Sequence, residues 1–133
     1  MTVPPTDPQL EAVRADHEIV LATIASGDLD SAASLLRDIA QRAPRAATPL
    51  ANLARVQERL GQPGEAEKSL QEAIARRPEA AFYNALGILQ RKQGKFAEAR
   101  RSYEQALALD SELALAHHNL AVLCDLYLDD PVT

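Results

Sequence analysis

The chain has 133 residues, 47% of them apolar, and a formal net charge of −5, enough for one compact unit that buries roughly two thirds of its unfolded surface. The acidic balance and the scarcity of rings (three Tyr, two Phe, no Trp) speak against phosphate binding and base stacking, so no nucleic-acid partner is expected. A lone cysteine excludes an intramolecular disulfide and a cysteine-based metal site, and no stretch approaches ~18 consecutive apolar residues, so no membrane insertion is expected.

Alanine and leucine supply about a third of the residues and glycine is scarce, a mixture that favours helix. No window alternates polar with β-branched residues as a half-buried strand would. Residues 1–6, with Pro4 and Pro5, read as a disordered or extended lead. Thr6 or Asp7 can cap a first helix that runs to about Ser26, where Gly27 and Asp28 break it. A second helix is predicted to about Ala43 and is stopped by Pro44, which lacks the amide donor and restricts the residue before it. A third, from about Arg45 to Leu60, meets the turn Gly61-Gln62-Pro63-Gly64, and a fourth ends near Arg77, before Pro78. The fifth covers about Glu79 to Gln93, and Gly94-Lys95 turns the chain into a sixth from Phe96 to Leu109. The last helix is expected from Ser111 to Leu128, followed by a tail over 129–133.

These elements repeat. Gly27, Gly61 and Gly94 are 34 and 33 residues apart, and the triplets Ala32/Ala66/Ala99 and Leu36/Leu70/Tyr103 keep both spacings. Pro44 and Pro78 close two units, and Ser111 stands where a third proline would fall. A fixed period of this size marks stacked helix pairs, each burying its apolar face on the next. The third unit carries Tyr83, Leu86-Gly87, Gln90, Ala99, Tyr103 and Ala106; the second carries Leu50, Leu53-Ala54, Gln57, Ala66, Leu70, Ala73 and Pro78. In this pattern the chain resembles the tetratricopeptide repeat family. The resemblance implies an all-α, right-handed superhelical stack of antiparallel pairs: three repeats (10–44, 45–78, 79–111) and a C-terminal helix (111–128) in one domain over 7–128. It also implies that the first helix of each unit lines a concave groove.

Helical spacing picks out the same stripe from the residues. If Leu50, Leu53 and Gln57 face the partner helix, Thr48, Ala51, Arg55 and Glu58/Arg59 share another face. The candidate groove residues are then Arg14, His17 and Leu21 in the first unit and Arg55 and Arg59 in the second. Asn84, Ile88, Arg91 and Lys92 follow in the third, and His118 and Val122 in the last helix. One column across the units reads Glu58, Arg91, Asp125 and is expected to form a ladder of ion pairs. The next sets Arg59 beside Lys92 with no acid between them. With Arg55 and Asn84 these cations are either a ligand patch or a plain solvated face. Leu21, Ile24, Ile88 and Val122 are either an apolar floor or incidental burial. Together they suit a protein or peptide partner of acidic-amphipathic character. Some family members hold a chaperone's C-terminal carboxylate with lysine, asparagine and arginine residues. The matching positions here are His17, Leu21, Asn52, Ala81 and Ala85, of which only Asn52 fits.

The last helix is apolar almost all round. Leu120, Leu123, Cys124 and Tyr127 form a face with no second helix to cover it, which points to self-association as a homo-oligomer or to a piece of a longer repeat protein. His117 and His118 are ~100° apart on a helix and cannot share a metal, and Cys124 lacks a base on its own face. No nucleophile, base and orienting group fall together, so neither an enzyme nor a cofactor is expected. As the chain stands a cytoplasmic location is expected. A periplasmic one would follow if it were the repeat portion of a longer bacterial assembly factor, such as the pilotin-like proteins it distantly resembles.

Overall fold

The computed structural model describes residues 18–128, with Tyr127 and Leu128 described at the backbone alone. Helix α1 is seen over 18–25. It is followed by α2 (Leu29–Arg42), α3 (Thr48–Arg59), α4 (Pro63–Arg76), α5 (Ala80–Lys92), α6 (Phe96–Leu109) and α7 (Ala114–Leu123). A π-helical turn, Cys124–Leu128, continues α7. No strand occurs among the described residues. From α2 onward each helix contacts its successor, and α5 also touches α7, as stacked antiparallel pairs require.

The glycine period has a backbone cause. Gly27, Gly61 and Gly94 have φ of 85°, 76° and 79°, a region that side chains with a β-carbon rarely enter. At each, the amide of the glycine bonds three residues back and the next amide five residues back, as in Gly61 N to Glu58 O and Gln62 N to Gln57 O. That pair of bonds closes the C-terminus of α1, α3 and α5 in the same way. Asp28 then opens α2 by accepting the Ser31 amide at 3.2 Å, and the hydrogen bonds from Ser31 hold its carboxyl below the usual carboxylate range.

Two helices begin later than the sequence suggests. The third starts at Thr48 rather than Arg45, because residues 43–47 are used to turn the chain after Pro44. The last starts at Ala114 rather than Ser111: Asp110 bonds the amides of Glu112 and Leu113 and makes a turn of 110–113.

One apolar cluster runs from Val20 in α1 through Leu36, Leu53, Val56 and Leu70 to Phe82 and Leu89 in α5. A second holds Ala99, Tyr103 and Leu123, with Ile88, Phe96 and Leu120 against it. The recurring alanines Ala32, Ala66 and Ala99 are fully buried and let helices approach closely where they cross. Polar ties repeat as well. Ser69 Oγ donates to Gln57 Oε1 at 2.6 Å, and Ser102 Oγ to Gln90 Oε1 at 2.5 Å, bonding the two helices of the second and third units in the same place. Between units, Arg76 Nη1 reaches the carbonyls of Ala40, Ala43 and Ala46 at 3.0, 3.3 and 3.1 Å, capping the end of α2 from α4.

Candidate functional site

Of the first helices of the units, α3 and α5 present neighbouring faces to one cleft. On α3, Thr48, Arg55 and Arg59 are exposed and Ala51 and Glu58 half-buried; on α5, Ala81 and Lys92 are exposed. Between these helices lies a cleft of about 290 Å³. Ala51, Ala54, Ala81 and Ala85 line it because they are too small to fill it, with Phe82 and Leu89 also on its walls. Thr48, Asn52, Arg55 and the two acids Glu58 and Glu79 supply polar groups to the same cleft. A volume near the bottom of the range for ligand pockets suits one side chain of a partner better than a whole small molecule.

The charges are arranged otherwise than the columns suggest. Glu58 pairs with Lys92, one period further on, and not with Arg91. Arg91 is half-buried and lies beside the Tyr103 hydroxyl; burial pushes that phenol up, and the guanidinium partly opposes the rise. Lys92 therefore already has an acid, and the uncompensated cations of the groove are Arg55 and Arg59, which form no ion pair among the described residues. Asn84, expected in the ligand patch, is buried, and its Oδ1 accepts Asn119 Nδ2 at 2.9 Å, so it joins α5 to α7. Ile88 packs on the cluster around Tyr103 and Leu123, and so is core rather than groove floor. Leu21 is 53% exposed, His118 is exposed and Val122 half-buried. Arg14 and His17 lie outside the described residues, as does the side chain of Tyr127.

The face proposed for self-association is also corrected. Leu123 and Cys124 are buried within the chain, and Leu120 packs on the second core cluster, because α7 leans on α6. The large apolar side chains that do remain open at this end are Leu115 (63%) and Leu126 (70%).

Sequence reasoning missed the buried Glu67. Its carboxylate accepts Gln90 Nε2 at 3.1 Å, Gln93 Nε2 at 3.0 Å and Lys95 Nζ at 2.9 Å, which fastens α4 to the end of α5. Desolvation alone would raise its pKa, but the hydrogen bonds from Lys95, Gln93 and Gln90 outweigh it and hold the carboxyl below the usual range. Also missed was a cleft of about 420 Å³ between α2 and α4, floored by Leu50, Leu53 and Gln57 of α3. One period later Ile74 and Tyr83 stand where Ala40 and Leu50 leave that space. His117 Nε2 lies 2.7 Å from Ser111 O, and no group of three or more His, Cys, Asp or Glu among the described residues is placed to hold a metal. No helix among them is long and apolar enough to cross a membrane.

With helix pairs, glycine turns and a concave cleft in place, the comparisons agree on a class. A family profile described as tetratricopeptide repeat matches residues 23–89, and a second, described as TPR repeat, matches 89–124. The chain belongs to the tetratricopeptide repeat family. No curated protein matches it. Among solved structures it is similar to the first TPR of Spaghetti (RPAP3) bound to the HSP90 peptide SRMEEVD, at 21% identity and TM-score 0.77, over 85% of this chain and 90% of that one. It is also similar to the second TPR domain of human RPAP3 in complex with the HSP70 peptide SGPTIEEVD, at 19% identity and TM-score 0.78, over 86% and 97%. MamA shares 23% identity and a TM-score of 0.73 over 80% of this chain, which spans 63% of the MamA chain. At these identities the likeness is one of fold. Tetratricopeptide repeat domains are in general interaction modules without catalysis of their own, and the family includes domains that bind peptides.

Proposed function

We propose that this chain is a non-catalytic scaffold that holds an acidic-amphipathic segment of a partner protein along its concave face. The observation that carries this reading is the α3–α5 cleft: an alanine-walled recess lined by Arg55, by Glu58, which pairs with Lys92, and by Glu79, which pairs with Arg77, with Arg59 one turn further along α3. An apolar side chain can enter the recess while a neighbouring carboxylate meets the guanidinium groups. The two RPAP3 domains are described with peptides that join acids to apolar residues, which supports the class of ligand. The residues that would hold it differ here, since Ala81 and Ala85 carry no charge. A dissociation constant near ~1 μM, about −8 kcal/mol, is expected of so few anchors.

The test is a titration with an acidic-amphipathic peptide by calorimetry, repeated with Arg55→Glu/Arg59→Glu. Affinity should fall about tenfold or more while the helical circular dichroism is unchanged, since both side chains are exposed. Equal affinity in the variant would remove the cations from the account. Lys92 is left intact, because reversing it would also strand Glu58.

A further inference from the structure

We propose that residues 126–133 of one copy are a ligand for the concave groove of a second copy, so that the chain recognises itself head to tail. The inference rests on the groove reading above and names one partner for it. The segment Leu-Tyr-Leu-Asp-Asp-Pro-Val-Thr carries two adjacent acids, Asp129 and Asp130, no cation, and apolar residues on both sides of the acids. Arg55 and Arg59 are exposed and without an ion pair among the described residues, so the charges complement each other. The alanine-lined recess beside Arg55 has room for one of the flanking apolar side chains. Leu126, at the head of the segment, is already 70% exposed.

Distance decides between a chain's own groove and another's. Adjacent first helices stand roughly 8–10 Å apart, so α3 lies about 16–20 Å from α7. Two residues of fully extended chain span at most ~7 Å, so within one copy only Asp130 approaches Arg59, and then only with the chain and both side chains stretched to their limit. A second copy supplies the groove. The interface is heterologous, with groove and segment at different places on the surface, so it builds closed rings or open chains rather than a simple two-fold pair. It also differs from association through the α7 face, whose Leu123 and Cys124 are buried.

Sedimentation of the full chain over a range of concentrations tests this, with Asp129→Asn/Asp130→Asn as the variant that cannot donate and Arg55→Glu/Arg59→Glu as the one that cannot accept. Wild-type mass should grow with concentration, and each variant alone should associate about tenfold more weakly. An equimolar mixture of the two variants retains one good groove and one good segment, and it should recover association that stops at a 1:1 pair. A wild-type chain that stays monomeric at high concentration overturns the proposal, and so does association that neither variant weakens. If an unrelated acidic-amphipathic peptide still binds through Arg55 and Arg59 while the wild type stays monomeric, this inference fails and the groove reading stands. If neither associates, both fail.

Discussion

At Gly87 there is no space for a side chain: a β-carbon placed there would stand 2.5 Å from Cε1 of Tyr103 and 2.6 Å from Cδ1. The matching pairs in the earlier units are Val20 with Leu36 and Ala54 with Leu70, so the first member is smallest where the second, Leu in both earlier units, becomes Tyr. Close packing of this kind makes the two positions one energetic unit. Gly87→Ala should cost about 1–3 kcal/mol in urea unfolding, through overpacking that outweighs the gain in helix propensity. Gly87→Ala/Tyr103→Leu rebuilds the pair of the second unit, and should show less destabilisation than the two single variants summed, by more than ~0.5 kcal/mol. Additive effects would mean that the ring and the glycine do not constrain each other.

Between elements the units are held by a few polar bolts, of which Glu67 is the most enclosed charged group, at 6% exposure. Glu67→Gln keeps an oxygen but sets an amide against three donors, and should cost about 1–3 kcal/mol near pH 7. Because the folded-state pKa is lowered, the carboxylate's contribution is present above the unfolded value and is lost as pH falls through the folded one. Wild type and variant should therefore differ most at neutral pH, and the gap should close as acid protonates Glu67. A gap that stays constant into acid would deny the carboxylate its role. The helices and their glycine turns were legible because a left-handed turn residue every 33 or 34 positions leaves a mark in one dimension. The bolts were not. Which of Arg91 and Lys92 answers Glu58 depends on the direction each side chain leaves α5, and one of them is drawn instead toward the Tyr103 hydroxyl. Asn84, expected on the groove face, is buried, and its pairing with Asn119 depends on how closely α7 approaches α5. The starts of α3 and α7 were misplaced by three residues because the connecting turns use more chain than a proline or serine signals.

Solenoids of stacked helix pairs in general gather one face of the first helices into a concavity and carry the second helices outside, and the groove proposed here is that face at α3 and α5. Among the described residues one cleft lies between α3 and α5, on that face, and another between α2 and α4. The α2–α4 cleft is the larger, but there Lys68 pairs with Glu65, Glu72 stands against Arg37, and Arg76 is engaged by carbonyls. The α3–α5 cleft also holds acids, but Glu58 and Glu79 have Lys92 and Arg77 as partners, which leaves Arg55 and the neighbouring Arg59 over. An acidic partner is therefore predicted to choose the smaller, concave one. Nuclear magnetic resonance mapping of an acidic-amphipathic peptide on the labelled chain tests that choice directly. Shifts should gather at Thr48, Ala51, Asn52, Arg55 and Ala81, whereas shifts confined to Arg37, Gln41, Lys68 and Glu72 would contradict the account.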